Sequence, residues 1–307
     1  MAYPVDAGAP THSGTYTPEK WAAKTIRKFY AQTFLTKITN TDYEGEITSF
    51  GDKVHMRVIP DITVSDYIIG AGLAYENPAP SDLELLIDKG KSYSFNANLV
   101  QVKQDDISFI NKFTEDAADQ MKVAIERAFL ADVYTGAHAD NKGAAAGAIS
   151  GNIDLGTANA AEKPTKADIL EFVANIKQVL SENECPPDGR YIVLSASFVN
   201  LLEKSDLKNA SFSGDGKSMA KTGFMGNLSG MDVYESNLLS IVTDPTDGAT
   251  TNVIAGHPYA ITFATQLTEN EHLKNPWDFG DLYRGLQVYG YKVIKPELLA
   301  WFYAQPA

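Results

Sequence analysis

The chain has 307 residues, enough for one large domain or two smaller ones with a sizeable core. A net charge of −13 and a pI near 4.8 exclude a general electrostatic pull toward nucleic acid. Lys and Arg are scattered singly, so no local basic patch replaces that pull. One cysteine, Cys185, excludes an intrachain disulfide framework, and no eighteen apolar residues run together to span a membrane. The opening MAYPVDAGAPTHSG lacks the apolar run of a signal peptide, so synthesis in a cytoplasm is expected.

Residues 1–17, rich in Gly, Pro, Thr and Ser, read as a flexible arm. Thr17-Pro18 then opens a helix, with Glu19 in its first turn. Trp21, Thr25, Ile26, Phe29 and Phe34 form its apolar stripe. That stripe fits either a helix packed on its own domain or an arm helix lying on a neighbouring subunit.

Gly51 to Asn98 reads as a pair of long strands. Val54, Met56 and Val58 alternate with Lys53, His55 and Arg57, and Tyr93, Phe95, Ala97 and Leu99 alternate with Ser and Asn. The turn-rich GAGLAYENPAPSD lies between. Limbs of this length would reach about 30–50 Å. An isolated hairpin is marginal in water, so such a projection is expected to lie on something else.

The strongest helix signal is Asp106 to Tyr134, about 43 Å long at helical rise. Ile110, Phe113, Ala117, Met121, Ala124 and Ala128 would form its apolar face, with Lys112, Glu115, Asp119, Lys122 and Glu126 on the other. Residues 136–163, high in Gly and Ala, read as a loop with a short hairpin around Ile149 to Leu155. Thr165 and Asp168 resemble a capping box. Ile169, Phe172, Val173, Ile176 and Val179 then repeat at helical spacing until Pro186-Pro187.

Tyr191 to Leu194 is a short apolar strand, followed by a helix start at Ser195 and Ser197. A loop punctuated by Gly223, Gly226 and Gly230 leads to a strand at Met231 to Tyr234. Val253 to Ala255, Tyr259 to Ala264 and Leu286 to Ile294 are further β-rich runs, separated by Gly-His-Pro and Trp-Asp-Phe-Gly-Asp turns.

Chemistry-bearing motifs fail their tests. Gly216-Lys217-Ser218 and Gly90-Lys91-Ser92 each lack the earlier glycine of a phosphate loop, since Ser211 and Leu85 stand there. No two of His12, His55, His138, His257 and His272 have the spacing of a helical zinc site. Asp244 to Asp247 has Thr243 and Pro245 where a calcium loop needs ligands. No catalytic residue, cofactor site or metal site is assigned.

Three segments, RYIVLSASFVNLL, GFMGNLSGMDVYES and LQVYGYKVIKPELL, resemble major capsid proteins of tailed double-stranded-DNA bacteriophages, which have the Hong Kong 97 capsid fold. The resemblance implies an α+β chain in five parts. These are an N-terminal arm (1–45), an extended hairpin loop (46–104), a peripheral domain with a long spine helix (105–187), an axial domain (188–285) and a closing strand (286–307) that returns to the peripheral domain. It further implies self-assembly into pentamers and hexamers of an icosahedral shell, built in the bacterial host cytoplasm and ending as the virion capsid.

The implied clasp onto the neighbouring subunit is Tyr67, Ile68, Ile69, Leu73, Tyr75, Leu83 and Leu85. The implied capsomer-axis loop carries Gly223, Gly226 and Gly230, where positive φ is the simpler reading than a ligand cradle. Trp21, Ile26 and Phe29 belong to the arm. Implied partners are further copies of the chain, a separate scaffolding protein, a portal protein, decoration proteins and weakly held double-stranded DNA, with no membrane. Lys–Asn crosslinking, known in some relatives, is not expected, since nothing identifies a pair for Lys89 or Lys91. An encapsulin compartment would keep the fold and change the job, but the arm ahead of the hairpin favours a phage coat. A cytosolic enzyme would need convergent polar residues, and the sequence displays none.

Overall fold

The computed structural model describes residues 33–42, 53–58, 60, 62–70, 72, 75–78, 81–99, 103, 109–205 and 226–306. Strand β4 (Arg190–Leu194) is buried along its whole length, as a continuous apolar run at the centre of a sheet should be. Helix α4 (Ala196–Lys204) follows β4, and strand β6 (Met231–Glu235) pairs parallel with β4. β5 (Asn227–Leu228), β7 (Ile241–Asp244), β8 (Gly248–Gly256) and β11 (Leu299–Ala304) complete a six-stranded sheet ordered β11-β8-β4-β6-β5, with β7 on β8.

Helix α3 (Ile169–Glu182) packs on this sheet through all five of its expected apolar residues and Leu180. Phe172 stacks on Phe198 of α4 and meets Phe302 of β11 edge-on, at centroid distances of 6.1 and 4.9 Å. The capping-box expectation is modified here. Thr165 Oγ1 donates to the Asp168 carboxylate at 2.7 Å, so Asp168 is bound to the threonine side chain instead of its backbone N–H. At the other end of α3, buried Arg190 donates to the carbonyls of Pro186 and Cys185 and to Ser181 Oγ. Its cation thus lies where helix carbonyls run out of partners.

A second sheet is formed by β3 (Lys89–Asn98), β10 (Gly280–Val293) and β9 (Ile261–Lys274), in the order β3-β10-β9. A third, two-stranded sheet is β1 (Lys53–Val58) paired antiparallel with β2 (Ser81–Leu86). The single long hairpin expected over 51–98 is therefore corrected. The limb at 92–98 pairs with β10, and β1 finds its partner much nearer, at 81–86. Both pairings satisfy period-two alternation, which specifies a face and not a partner. Leu99 lies beyond the end of β3 and is exposed.

Helix α2 (Phe109–Leu130) has 22 residues, about 33 Å, and a 3₁₀ turn (Val133–Gly136) follows it. Its buried face also differs from expectation. Ile125, Glu126, Phe129 and Leu130 are buried, while Phe113 is half exposed and meets Phe95 of β3 edge-on. The N-terminal half crosses one strand of the small sheet, whereas the last turns enter the main core, so burial follows depth along the helix more than one stripe.

The helical turn α1 (Leu35–Ile38) sits against those last turns. Phe34 stacks on Tyr234 of β6 at 5.2 Å, and Asn40 exchanges backbone hydrogen bonds with Ile261 and Phe263 of β9. Trp21, Ile26 and Phe29 lie outside the described residues.

Candidate contact surface

The β1–β2 hairpin is anchored at its base and bare at its tip. Val54, Met56, Leu85 and Ile87 form a small core with Ala264 of β9, and Leu83, Val288 and Ile294 pack against it. Lys292 Nζ donates to the Glu84 carbonyl at 2.8 Å, tying β2 to β10. A Cβ on Gly290 of β10 would overlap the Leu86 carbonyl oxygen, so glycine there permits the close approach of the two sheets. The outer face carries opposite charges: Lys53 pairs with Glu84 at 3.2 Å, and His55 Nδ1 lies 2.6 Å from Asp82.

Beyond this ladder the chain has no regular structure from 62 to 68, turns at Ile69-Gly70, and presents its apolar side chains to solvent. Tyr67 is 74% exposed, Ile69 89% and Tyr75 91%, with Ile62, Val64 and Ile68 similarly bare. Thr63 N–H donates to Glu76 Oε2 at 3.1 Å and holds the two limbs together. Of the clasp set, Tyr67, Ile68, Ile69 and Tyr75 thus form one exposed group. Leu83 and the fully buried Leu85 belong to the hairpin's own footing, a correction that follows from β2 pairing inside the chain. Leu73 lies outside the described residues.

A second apolar tip escaped the sequence reading. The turn between β9 and β10 exposes Trp277 (90%) and Phe279 (82%), near exposed Leu99 and Leu273. The Leu99 N–H donates to the Phe279 carbonyl at 3.0 Å, and Asn98 Nδ2 to Asp278 at 2.9 Å, so the turn is fixed to the end of β3. The available signal was two large aromatics inside a turn sequence, where polar residues ordinarily serve.

Of the loop glycines, Gly223 lies outside the described residues. The Gly226 carbonyl accepts from Val233 N–H at 3.0 Å. Gly230 has φ +83° and Ser229 φ +54°, the two central residues of a tight β5–β6 hairpin. Positive φ at both positions is the type I′ geometry that matches strand twist.

The motifs set aside in the sequence have ordinary places. Gly90-Lys91-Ser92 lies within β3, opposite Leu286 to Val288. Buried His257 accepts the Tyr259 N–H at Nδ1, while Nε2 donates to the Asp188 carbonyl at 3.0 Å. Burial pushes the Cys185 thiol up, away from reactivity. Asp244 accepts from the Asn159 N–H, Thr246 N–H and Tyr303 hydroxyl, which hold its carboxyl at about 2 and spend it on fixing a loop. Lys89 Nζ donates to Tyr291 Oη at 2.8 Å and sits 3.4 Å from Asp132, engaged within its own chain.

The phage capsid protein family model matches residues 87–301. A solved structure from Mycobacterium phage Che8 is similar at TM-score 0.76 and 26% identity, covering 94% of this chain and 97% of that one. The capsid structure of cyanophage P-SCSP1u is similar at TM-score 0.74 and 14% identity, over 95% of this chain and 94% of that one. The mature capsid of bacteriophage PhiM1 gives 0.72 and 14%, over 94% and 92%. No curated protein matches the chain.

Proposed function

The chain belongs to the phage capsid protein family and is a major capsid protein of an icosahedral shell, and from that premise we propose how its surfaces build the shell. The tip of the β1–β2 hairpin clasps the adjacent subunit through Tyr67, Ile68, Ile69 and Tyr75. The observation that carries this reading is the contrast along one hairpin: a base locked to its own sheet and a tip with no cover. Contiguous bare apolar groups on a rigid mount mark an interaction site. The Trp277–Phe279 turn supplies a second contact, at the far end of the β3-β10-β9 sheet on which the hairpin's base packs.

In this reading the clasps join subunits into pentamers and hexamers, and heterologous contacts close each ring by rotation. The region over 188–285 faces the ring axis, with Gly226 and Gly230 in its loops. A separate scaffolding protein, a portal, decoration proteins and weakly held double-stranded DNA are the partners, with assembly in the host cytoplasm. An acidic subunit suits a container, since a shell that gripped DNA strongly would hinder packaging. The test is a triple variant, Tyr67→Ser, Ile69→Ser and Tyr75→Ser, expressed beside the unaltered protein with its scaffold. The expected result is a folded subunit by circular dichroism that yields no closed particles in electron micrographs. Normal particles from the variant would remove the hairpin from the assembly mechanism.

A further inference from the structure

Glu126 is the most unusual side chain outside the contact surface, being a carboxyl with no exposure, on a helix face the sequence marks as polar. Its Oε2 accepts the backbone N–H groups of Phe34 at 2.9 Å and Leu35 at 3.2 Å. These are first-turn donors of α1, and Phe34, the N-cap residue, has no side-chain oxygen to satisfy them. The other oxygen, Oε1, has no partner among the described residues. Glu126 is among the residues that line a cavity of about 330 Å³ between α1, α2, β9 and β10, with Thr36, Lys122, Phe263 and Gln287. The segment so held, 33–42, is the root through which residues 1–32 join the body, and it also touches β6 and β9.

We infer that Glu126 is a proton-sensitive latch on this root, gripping it more firmly when protonated and loosening it as the carboxyl ionises. A neutral carboxyl keeps an acceptor for both N–H groups and carries no buried charge. An ionised one leaves a buried charge half satisfied, which is costly in an apolar setting. Burial accordingly raises the carboxyl above its usual range against the pull of the Phe34 and Leu35 N–H groups. The surroundings offer little compensation. Besides Glu126, Lys122 alone is titratable among the cavity's described lining residues, and its ammonium is exposed and bonded to Asp119. From α1 and Thr41 come hydroxyls and Leu35, and Lys37 lies instead over the Tyr234 ring. From β9 and β10 come Phe263, Thr265 and Gln287, with the Tyr289 phenol beside Ile125.

The sign follows from linkage. With the folded value raised, the extra grip is complete below the ordinary carboxyl value of 4.5 and is lost as pH rises through the raised value. Hydrogen-exchange mass spectrometry on the full-length protein, from below the ordinary value of 4.5 up to about pH 8 and corrected for intrinsic exchange, reads it directly. Protection of peptides spanning 33–42 should fall with rising pH, tenfold for each unit of the shift, while peptides of β4 stay constant. Glu126→Gln, a neutral isostere, should hold the segment at one level across the range. Should that variant fail to fold, Lys122→Met gives a second reading. Because that ammonium is exposed and engaged by Asp119, its removal should leave the fall of protection with rising pH in place. Protection that is flat or rises with pH in the unaltered protein or in Lys122→Met, or a sloping profile in Glu126→Gln, would overturn the inference.

Discussion

The six-stranded sheet and the β1–β2 hairpin solve the same problem, covering an apolar surface, by opposite means. The sheet is covered by its own chain: α3 and α4 lie on it, and Ile192, Val193, Ile254 and Phe302 have no exposure. The hairpin covers only its footing with Ala264 and β10 and leaves its tip in water. Burial inside one subunit lowers that subunit's free energy whatever its concentration, whereas a bare tip becomes stabilising only when another surface meets it. On the proposed function, one region folds the subunit and the other joins it to its neighbours. Changes in the first should register in unfolding experiments, and changes in the second in assembly.

The sharpest way to break the self-sufficient region is Phe302→Ala. Phe302 is fully buried on β11 and meets the Phe172 ring edge-on. Removing such a ring costs about 3–5 kcal/mol through lost burial and a residual cavity. Urea unfolding of the isolated subunit should show a lowered midpoint, and poor assembly would follow only because less folded protein remains.

Acid probes the same region more locally. Asp244 is held at about 2, first by the Asn159 N–H and then by Thr246. Glu182 is also held at about 2, first by the Ser150 N–H and then by Gln178. Both carboxylates fasten stretches of the 143–163 loop to the body of the protein. Because their values are depressed, the grip is full above the ordinary carboxylate range and disappears as pH falls toward 2. Limited proteolysis by an acid protease should cut within 143–163 before the sheet itself unfolds. Asp244→Asn should make the same loop susceptible at pH 5.

How far the sequence revealed these two regions depends on whether a signal was local. The α3 stripe and the buried run of β4 are written in consecutive residues, and both elements formed where expected. The partner of β3 is almost two hundred residues away, and alternation at Tyr93, Phe95 and Ala97 says only which side is covered. Glu126 misled for the same reason. A carboxylate at helical spacing with Lys122 and Asp119 belongs to a polar face, unless a distant segment brings N–H groups to it, as Phe34 and Leu35 do. The bareness of Tyr75 was legible because the turn-rich GAGLAYENPAPSD has no helix in which to bury it, whereas Tyr67 and Ile69 were reached only through the family resemblance. The Trp277–Phe279 tip was missed because its residues were read for turn chemistry and not for what a turn leaves exposed.

A smaller effect belongs to the β5–β6 hairpin. A Cβ on Gly230 would meet nothing within 4 Å, so Gly230→Ala creates no clash. It would, however, hold an alanine at φ +83°, which costs about 1–2 kcal/mol. Ser229→Asn should act the other way by a few tenths of a kcal/mol, since Asn accepts positive φ more readily than Ser and Asn-Gly is the favoured pair for this turn. Thermal unfolding of the two variants should move in opposite directions, and equal shifts would mean that the turn is not type I′.

The smallest effect on folding is expected from the aromatic tip, where the comparison is tested most stringently. Trp277→Ser with Phe279→Ser removes two large side chains that bury almost nothing in the subunit, so its stability should stay within about 0.5 kcal/mol of the original. The backbone bonds from Leu99 to Phe279 and from Asn275 to Gly280 do not use these side chains and should keep the turn in place. Assembly should nevertheless fail or require higher protein concentration, because exposed aromatics fixed to a rigid strand end are the groups that anchor protein contacts. Urea midpoints and particle yield by sedimentation, measured on the same preparation, separate the two quantities. An unchanged midpoint with unchanged yield would make the turn a bystander. A lowered midpoint would show that these rings cover something within their own subunit, and the division between a region that folds and one that joins would not extend to this end of the sheet.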